Sequence, residues 1–224
     1  MPSLQYKKDT YKYFKTFNPD IDNGLLLDYG CNYGTFLESS NGAFNQTQYT
    51  GIDVDAQAVN HGRQMFPDAQ FIHYNGYNAM YNPSGENKSQ LTFNSKFQNV
   101  ISYSVLTHTS ITDMMETIEW LYGLTKPGGT LMLTFLNVDD PTTNNFFTQK
   151  RISRYGSCDP ITTDTYTYLI NNKLSKNIQP ASHVLLFFKI EYLKECLSKY
   201  DVEIYDAPPN INGCFQSCII IYKQ

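Results

Sequence analysis

The sequence predicts an α/β fold: a doubly wound, mostly parallel seven-stranded sheet with an antiparallel C-terminal strand, helices on both faces, and an insertion after the fifth strand. Three observations carry this expectation. Apolar runs of strand length alternate with stretches of helical period between residues 25 and 137. The first run, Leu25-Leu26-Leu27, is apolar at consecutive positions, which suits a strand covered on both faces. The last two runs, Asp201–Tyr205 and Phe215–Tyr222, are separated by a turn at Asn210 to Gly213 with no helix between them, so they pair antiparallel.

The 224 residues suffice for a single α/β domain, with an N-terminal helix within 1–20 and an insertion over 138–187. An aromatic content of 15% supports a real core. The net charge of −4 and the lack of a long basic run argue against a dedicated nucleic-acid binder, because neutralising phosphates takes clustered Lys and Arg. The five cysteines are odd in number and form no paired CxxC motifs, as expected of reduced thiols in a cytoplasmic protein. The stretch Met1 to Lys8 is polar and unlike a signal peptide, and no apolar run is long enough to span a bilayer.

Residues 5–18 set Tyr11, Tyr13, Phe14 and Phe17 among Lys and Thr, and read as a short helix ending near Asn18-Pro19. The leucine run then ends in Asp28. Two glycines follow, Gly30 and Gly34, and Thr35-Phe36-Leu37 opens a helix that Asn41-Gly42 stops. Strand, tight glycine loop and helix make the opening half of a nucleotide-binding βαβ unit, and glycines let the backbone approach a ligand closely. A dinucleotide fingerprint needs glycine where Asn32 stands, and a P-loop needs Gly-Lys-Ser/Thr at its end. With neither present, the loop suits a nucleoside ligand that carries no phosphates.

Tyr49 to Val54 is the second strand, and Asp55 is placed to cap the helix that follows. Asp53 lies 25 residues after Asp28, where a second parallel strand delivers a carboxylate to ribose hydroxyls. A carboxylate accepts from both hydroxyls of a diol at once. The alternative is that Asp53 only caps a turn. Ala69 to Tyr74 is the third strand, in which His73 reads as a strand histidine, and it leads to Tyr77 and Asn78. Tyr81 to Ser95 is polar and irregular.

Lys96 to Thr109 holds the fourth strand and its exit, which place Ser102, Tyr103 and Ser104 at the carboxyl end where open α/β sheets bind ligands. Neutral imidazole can take a proton from a hydroxyl or amine, so His108 is a candidate base; its other reading is a buttress for the next helix. Met114, Met115, Ile118, Leu121 and Tyr122 share a helical face that reads as core. Lys126-Pro127-Gly128-Gly129 ends that helix, and Thr130 to Asn137 is the fifth strand. Residues 138–187 have no clean periodicity and read as a lid over the carboxyl edge, where loops carry substrate contacts. Asn137, Asp139, Arg151 and Arg154 are its substrate candidates, against the reading that loop charges are simply solvated. A helix over 189–197 precedes the C-terminal hairpin.

The glycine stretch resembles the first motif of the class I, Rossmann-like, S-adenosylmethionine-dependent methyltransferases, whose usual form is an acid, any residue, Gly-Cys-Gly, any residue, Gly. Asp28, Gly30, Cys31 and Gly34 match it, and Asn32 departs from it. The fourth-strand segment and the Lys-Pro-Gly-Gly turn resemble later segments of the same family, although Gln98 replaces its usual acid. The resemblance runs from Leu25 to Gln224 apart from the insertion. It implies S-adenosyl-L-methionine as cofactor and S-adenosyl-L-homocysteine as product. Asp28, Gly30, Cys31, Asn32, Gly34, Asp53, Val54, Tyr77, Asn78, Ser102 and Tyr103 would form the cofactor site, with Val54 beside the adenine and Asn78 near its amine.

The expected reaction moves a methyl to an oxygen or nitrogen of a small metabolite, a sugar among the options, in a cytoplasmic monomer or homodimer. No metal is required, although Asp139-Asp140 leaves an opening for metal-assisted O-methylation. No membrane or nucleic-acid partner is expected. Two further readings stay open: a degenerate domain that serves as an interaction module, and a methyltransferase acting on protein or RNA. Departures at Asn32, Tyr77 and Gln98 favour the first of these; retained Asp28, Gly30, Gly34 and Asp53 oppose it.

Overall fold

The structure is a computed structural model and describes residues 8–78, 82–86, 91–109, 111–137, 139–140, 158–162, 166–171 and 185–224. Helix α1 (Thr10–Phe17) starts at Asp9, whose side chain accepts from the Lys12 amide, and ends before Pro19. Strand β1 (Leu26–Tyr29) follows, then α2 (Thr35–Ser40), β2 (Tyr49–Asp53), α3 (Ala56–Met65), β3 (Gln70–His73) and β4 (Phe97–Ser102). Asp55 caps α3 as expected, accepting from the Gln57 and Ala58 amides. Next come α4 (Ile111–Leu124), β5 (Thr125–Asn137), β6 (Cys158–Thr162), β7 (Tyr166–Asn171), β8 (Leu185–Phe188), α5 (Ile190–Cys196), β9 (Asp201–Tyr205) and β10 (Ser217–Tyr222).

Seven strands form the main sheet in the order β3-β2-β1-β4-β5-β10-β9. The first five are parallel, and β10 lies antiparallel between β5 and β9. The expected doubly wound sheet with an antiparallel C-terminal strand is therefore the observed one. Alternation explains why both faces need helices. Leu26, Ile101, Met132 and Ile220 join one core with Tyr13 and Phe14 of α1, Phe36 of α2 and Val59 of α3. Their chain neighbours Leu27, Val100, Leu131 and Ile221 join the other, with Met114, Ile118 and Leu121 of α4 and Leu193 of α5. Each fully buried side chain of this size contributes ~1.5–3 kcal/mol, so neither face of the sheet tolerates water.

Strand β5 starts at Thr125, earlier than the expected Thr130, because the Lys126–Gly129 turn is absorbed as an irregularity in its pairing with β4. Gln98, which stands where an acid was expected, donates its side-chain amide to the Gly128 carbonyl at 2.9 Å and so braces that irregularity. Within the insertion over 138–187 the described residues include three strands: β6, β7 and β8 pair antiparallel in turn, and β8 runs parallel to Leu136 and Asn137 at the end of β5. Pairing onto an existing strand supplies the order that the local sequence lacks.

Candidate active site

The carboxyl ends of β1, β2 and β4 meet at the glycine loop. Gly30, Asn32 and Gly34 adopt φ of 80°, 54° and 93°, three left-handed residues in five. Asparagine is among the few non-glycine residues that tolerate this region, which explains how Asn32 stands in for the middle glycine. Its side-chain oxygen also accepts from the Tyr33 amide at 2.9 Å. The amides of Gly30 and Cys31 both donate to the Ile52 carbonyl, at 2.8 and 3.0 Å, tying the loop to β2. A Cβ on Gly30 would lie 2.0 Å from Val105 Cγ2, so the β4 exit packs directly against the loop.

Asp53 ends β2 with both carboxylate oxygens engaged. Oδ2 accepts from the Asn32 amide at 2.7 Å and Oδ1 from the Asp55 amide at 2.9 Å. Burial raises its pKa, and these amides oppose that rise. The carboxylate thus caps the turn, and each oxygen keeps a lone pair for a further donor. The Asp53 carbonyl accepts from the Tyr74 amide at 2.8 Å, and Val54 offers its carbonyl to His73 Nε2 at 3.2 Å.

Asp28 sits below the loop, 5% exposed, and accepts from the Tyr49 hydroxyl at 2.7 Å. Burial raises its pKa to about 7; the Tyr49 bond lowers it and the Asp53 charge raises it. Burial likewise pushes the Cys31 thiol up, with Asp28 and Asp53 adding to the shift, so this cysteine is a packed thiol and not a nucleophile. Gly51 makes room for the cluster: a Cβ there would lie 2.7 Å from Cys31 Sγ and 2.9 Å from Tyr49 Cε1.

The other predicted positions fall in three places. Tyr77 is exposed and Asn78 half-buried in the loop after β3, which Asn82 closes by exchanging backbone hydrogen bonds with Asn78. Ser102 is buried and donates its hydroxyl to the Tyr29 carbonyl at 2.9 Å, joining β4 to β1. The Tyr103 ring turns toward α1, edge-on to Tyr13 at 5.3 Å, with Lys8 4.9 Å above it. His108 closes a single 3₁₀ turn, Leu106–His108, that packs against β5 and β8. Asn137 is buried and spends its side chain on the Asp139 amide at 3.0 Å and on Asp206 at 3.5 Å, while Asp139 is exposed. Arg151 and Arg154 lie outside the described residues. Among the described residues no cluster of three or more His, Cys, Asp or Glu is placed to hold a metal ion, and no helix is long and apolar enough to cross a membrane.

Sequence reasoning missed Gln216. Standing just before β10, it donates its side-chain amide to Ser104 Oγ at 2.8 Å. Ser104 lies at the strand end where it was expected, but its left-handed φ of 62° was not foreseen. No local pattern flags either feature, because the partners lie far apart along the chain.

A glycine loop, a carboxylate ending β2 and an antiparallel closing strand together define the class, and the comparisons agree. Residues 27–131 match the methyltransferase domain family. Over those residues the chain carries a methyltransferase domain, and its fold is the class I, Rossmann-like fold of S-adenosylmethionine-dependent methyltransferases. Its fold is similar to the PH0226 protein of Pyrococcus horikoshii, with a TM-score of 0.63 at 14% identity over 100% of this chain and 93% of that one. It is also similar to an S-adenosylmethionine-dependent methyltransferase from Clostridium acetobutylicum, with a TM-score of 0.60 at 11% identity over 99% and 93%. A third similar fold is CalS10 of Micromonospora echinaspora, an amino pentose methyltransferase solved with its cofactor, with a TM-score of 0.54 at 14% identity over 96% and 89%.

Proposed function

We propose that this enzyme methylates an oxygen or nitrogen of a small metabolite, with an amino sugar or hydroxylated sugar as the leading acceptor class. The observation that carries the cofactor half of this reading is the Asp53 carboxylate, pinned by the Asn32 and Asp55 amides at the mouth of the glycine loop. Its remaining lone pairs suit the two ribose hydroxyls. Gly30, Asn32 and Gly34 open the backbone for the amino-acid part of the cofactor, and Val54, Tyr77 and Asn78 flank the adenine. Bound there, S-adenosylmethionine supplies a methyl already activated on a sulfonium, so the protein need only orient an acceptor in line and exclude water.

The acceptor half rests on the chain's acidic balance and on the amino pentose acceptor of CalS10. In this reading the insertion, paired onto the end of β5, forms the acceptor wall, and His108 between β5 and β8 takes the acceptor proton. Ser102 and Tyr103 contribute backbone at the β4 exit, and Asn137 shapes the floor through its bond to Asp139.

Calorimetric titration with S-adenosylmethionine and S-adenosylhomocysteine, followed by labelled-methyl transfer to amino and hydroxylated sugars, tests both halves. Micromolar binding with transfer to one sugar class is expected. Binding without transfer to any sugar, but with transfer to protein or RNA, overturns the acceptor. His108→Ala is expected to lower turnover far more than cofactor affinity; equal losses would place His108 in the cofactor shell.

A further inference from the structure

Three side chains distant in sequence close a ring of hydrogen bonds at the β4 exit. The Ser104 amide donates to Thr134 Oγ1 at 2.7 Å, the Thr134 hydroxyl donates to Gln216 Oε1 at 2.5 Å, and Gln216 Nε2 donates to Ser104 Oγ at 2.8 Å. Gln216 is 2% exposed and Thr134 1%, so water does not compete for these bonds. Gln216 is itself fixed from behind, because its carbonyl accepts from the buried Tyr13 hydroxyl of α1 at 2.7 Å.

The ring holds a conformation that the chain does not prefer. Ser104 stands at φ 62°, where a side chain other than glycine costs free energy unless its surroundings over-determine it. The next residue is Val105, whose Cγ2 lies so close to Gly30 that no Cβ fits between them. The strained residue therefore aims Val105 onto the glycine loop, and the ring keeps it there. We propose that Gln216 is a positioning residue for methyl transfer: acting through Ser104, it holds the β4 exit against the glycine loop and so sets the shape of the cofactor cleft. This rests on the reading that the cofactor lies between those two loops.

The test uses the full chain as wild type and as Gln216→Leu, Thr134→Val and Gln216→Glu. Affinity for S-adenosylmethionine is measured by calorimetry, and amide hydrogen exchange is followed over residues 103–107 and 26–28. Gln216→Leu and Thr134→Val each break the ring. Each is expected to speed exchange at 104 and 105 at least tenfold and to weaken cofactor binding at least tenfold, with exchange at 26–28 unchanged. The double variant is expected to be no worse than the worse single one, since one broken bond opens the ring. Gln216→Glu keeps the shape and the acceptor for Thr134, and burial favours its protonated form, whose hydroxyl donates to Ser104 Oγ as the amide did, so at pH 6 it is expected to stay within threefold of wild type.

Wild-type affinity and exchange in both ring-breaking variants would overturn the proposal while leaving the cofactor site intact. So would a Gln216→Glu variant as impaired as Gln216→Leu, since a side chain of the same shape and the same hydrogen bonds would then fail to hold the loop. Should Gln216→Leu not fold, Thr134→Val, which changes shape least, decides alone. A folded wild type that binds neither S-adenosylmethionine nor S-adenosylhomocysteine would remove the site reading and this proposal together.

Discussion

The Asn32 amide donates to Asp53 Oδ2 at 2.7 Å, so the residue that departs from the glycine motif is bonded to the acid that β2 delivers. One carboxylate thus organises the loop and, in the proposed reading, receives the ribose. Asp53→Ala is expected to weaken S-adenosylmethionine binding by about 30- to 150-fold, from the loss of two hydrogen bonds worth ~1–1.5 kcal/mol each, while the fold survives. Calorimetry beside a thermal melt checks this. Unchanged affinity in a folded variant would move the ribose elsewhere.

Asn32 itself makes a separate prediction about backbone shape. At φ 54°, Asn32→Gly is expected to leave stability within about 0.5 kcal/mol and cofactor binding intact. Asn32→Val is expected to lose ~1–2 kcal/mol, the cost of a β-branched residue in the left-handed region. Denaturant unfolding of the two variants measures the difference, and equal stabilities would show that the loop relaxes to another conformation.

Gly30 is constrained by both conformation and space. Gly30→Ala places a methyl 2.0 Å from Val105 Cγ2 at φ 80°, so a loss of ~2–4 kcal/mol is expected from overpacking and backbone strain together. Adding Val105→Ala removes the clashing methyl and leaves the strain, so the double variant is expected to regain part of the loss. No recovery would mean that conformation alone forbids the side chain.

Asp28 carries a pH prediction. Its folded pKa of about 7 lies above the ordinary 3.8, so between those values the folded protein keeps a proton that the unfolded chain releases. That contribution to stability is fully present below about pH 4 and is lost as the pH rises through 7. Asp28→Asn removes the charge and keeps an acceptor for the Tyr49 hydroxyl. Its stability relative to wild type is therefore expected to rise between pH 4 and pH 8, with a slope on the order of 1.4 kcal/mol per pH unit in the steepest part. Urea curves at the two pH values read this directly, and a difference independent of pH would show that Asp28 stays ionised in the folded state.

Much of the fold was legible from local pattern. Consecutive apolar positions such as Leu26 and Leu27 announce a strand covered on both faces, because successive side chains point to opposite sides. The glycine loop and the acid ending β2 were legible for the same reason: both are short-range features whose chemistry lies within a few residues. The three strands of the insertion were not, since they form on the end of β5 and draw their order from a partner outside their own segment.

The sequence by itself determined the sheet, the helices on both faces, the glycine loop and Asp53 at its mouth, because periodicity and backbone stereochemistry act over neighbouring residues. Only the tertiary structure decided that Val105 lies on Gly30, that Asp28 is buried against Tyr49, and that Ser104, Thr134 and Gln216 close a ring. Ser104 and Gln216 stand 112 positions apart, and a hydrogen bond over that separation leaves no period in the chain that makes it. It exists only once β10 has been laid against β5 and the β4 exit has been brought beside them.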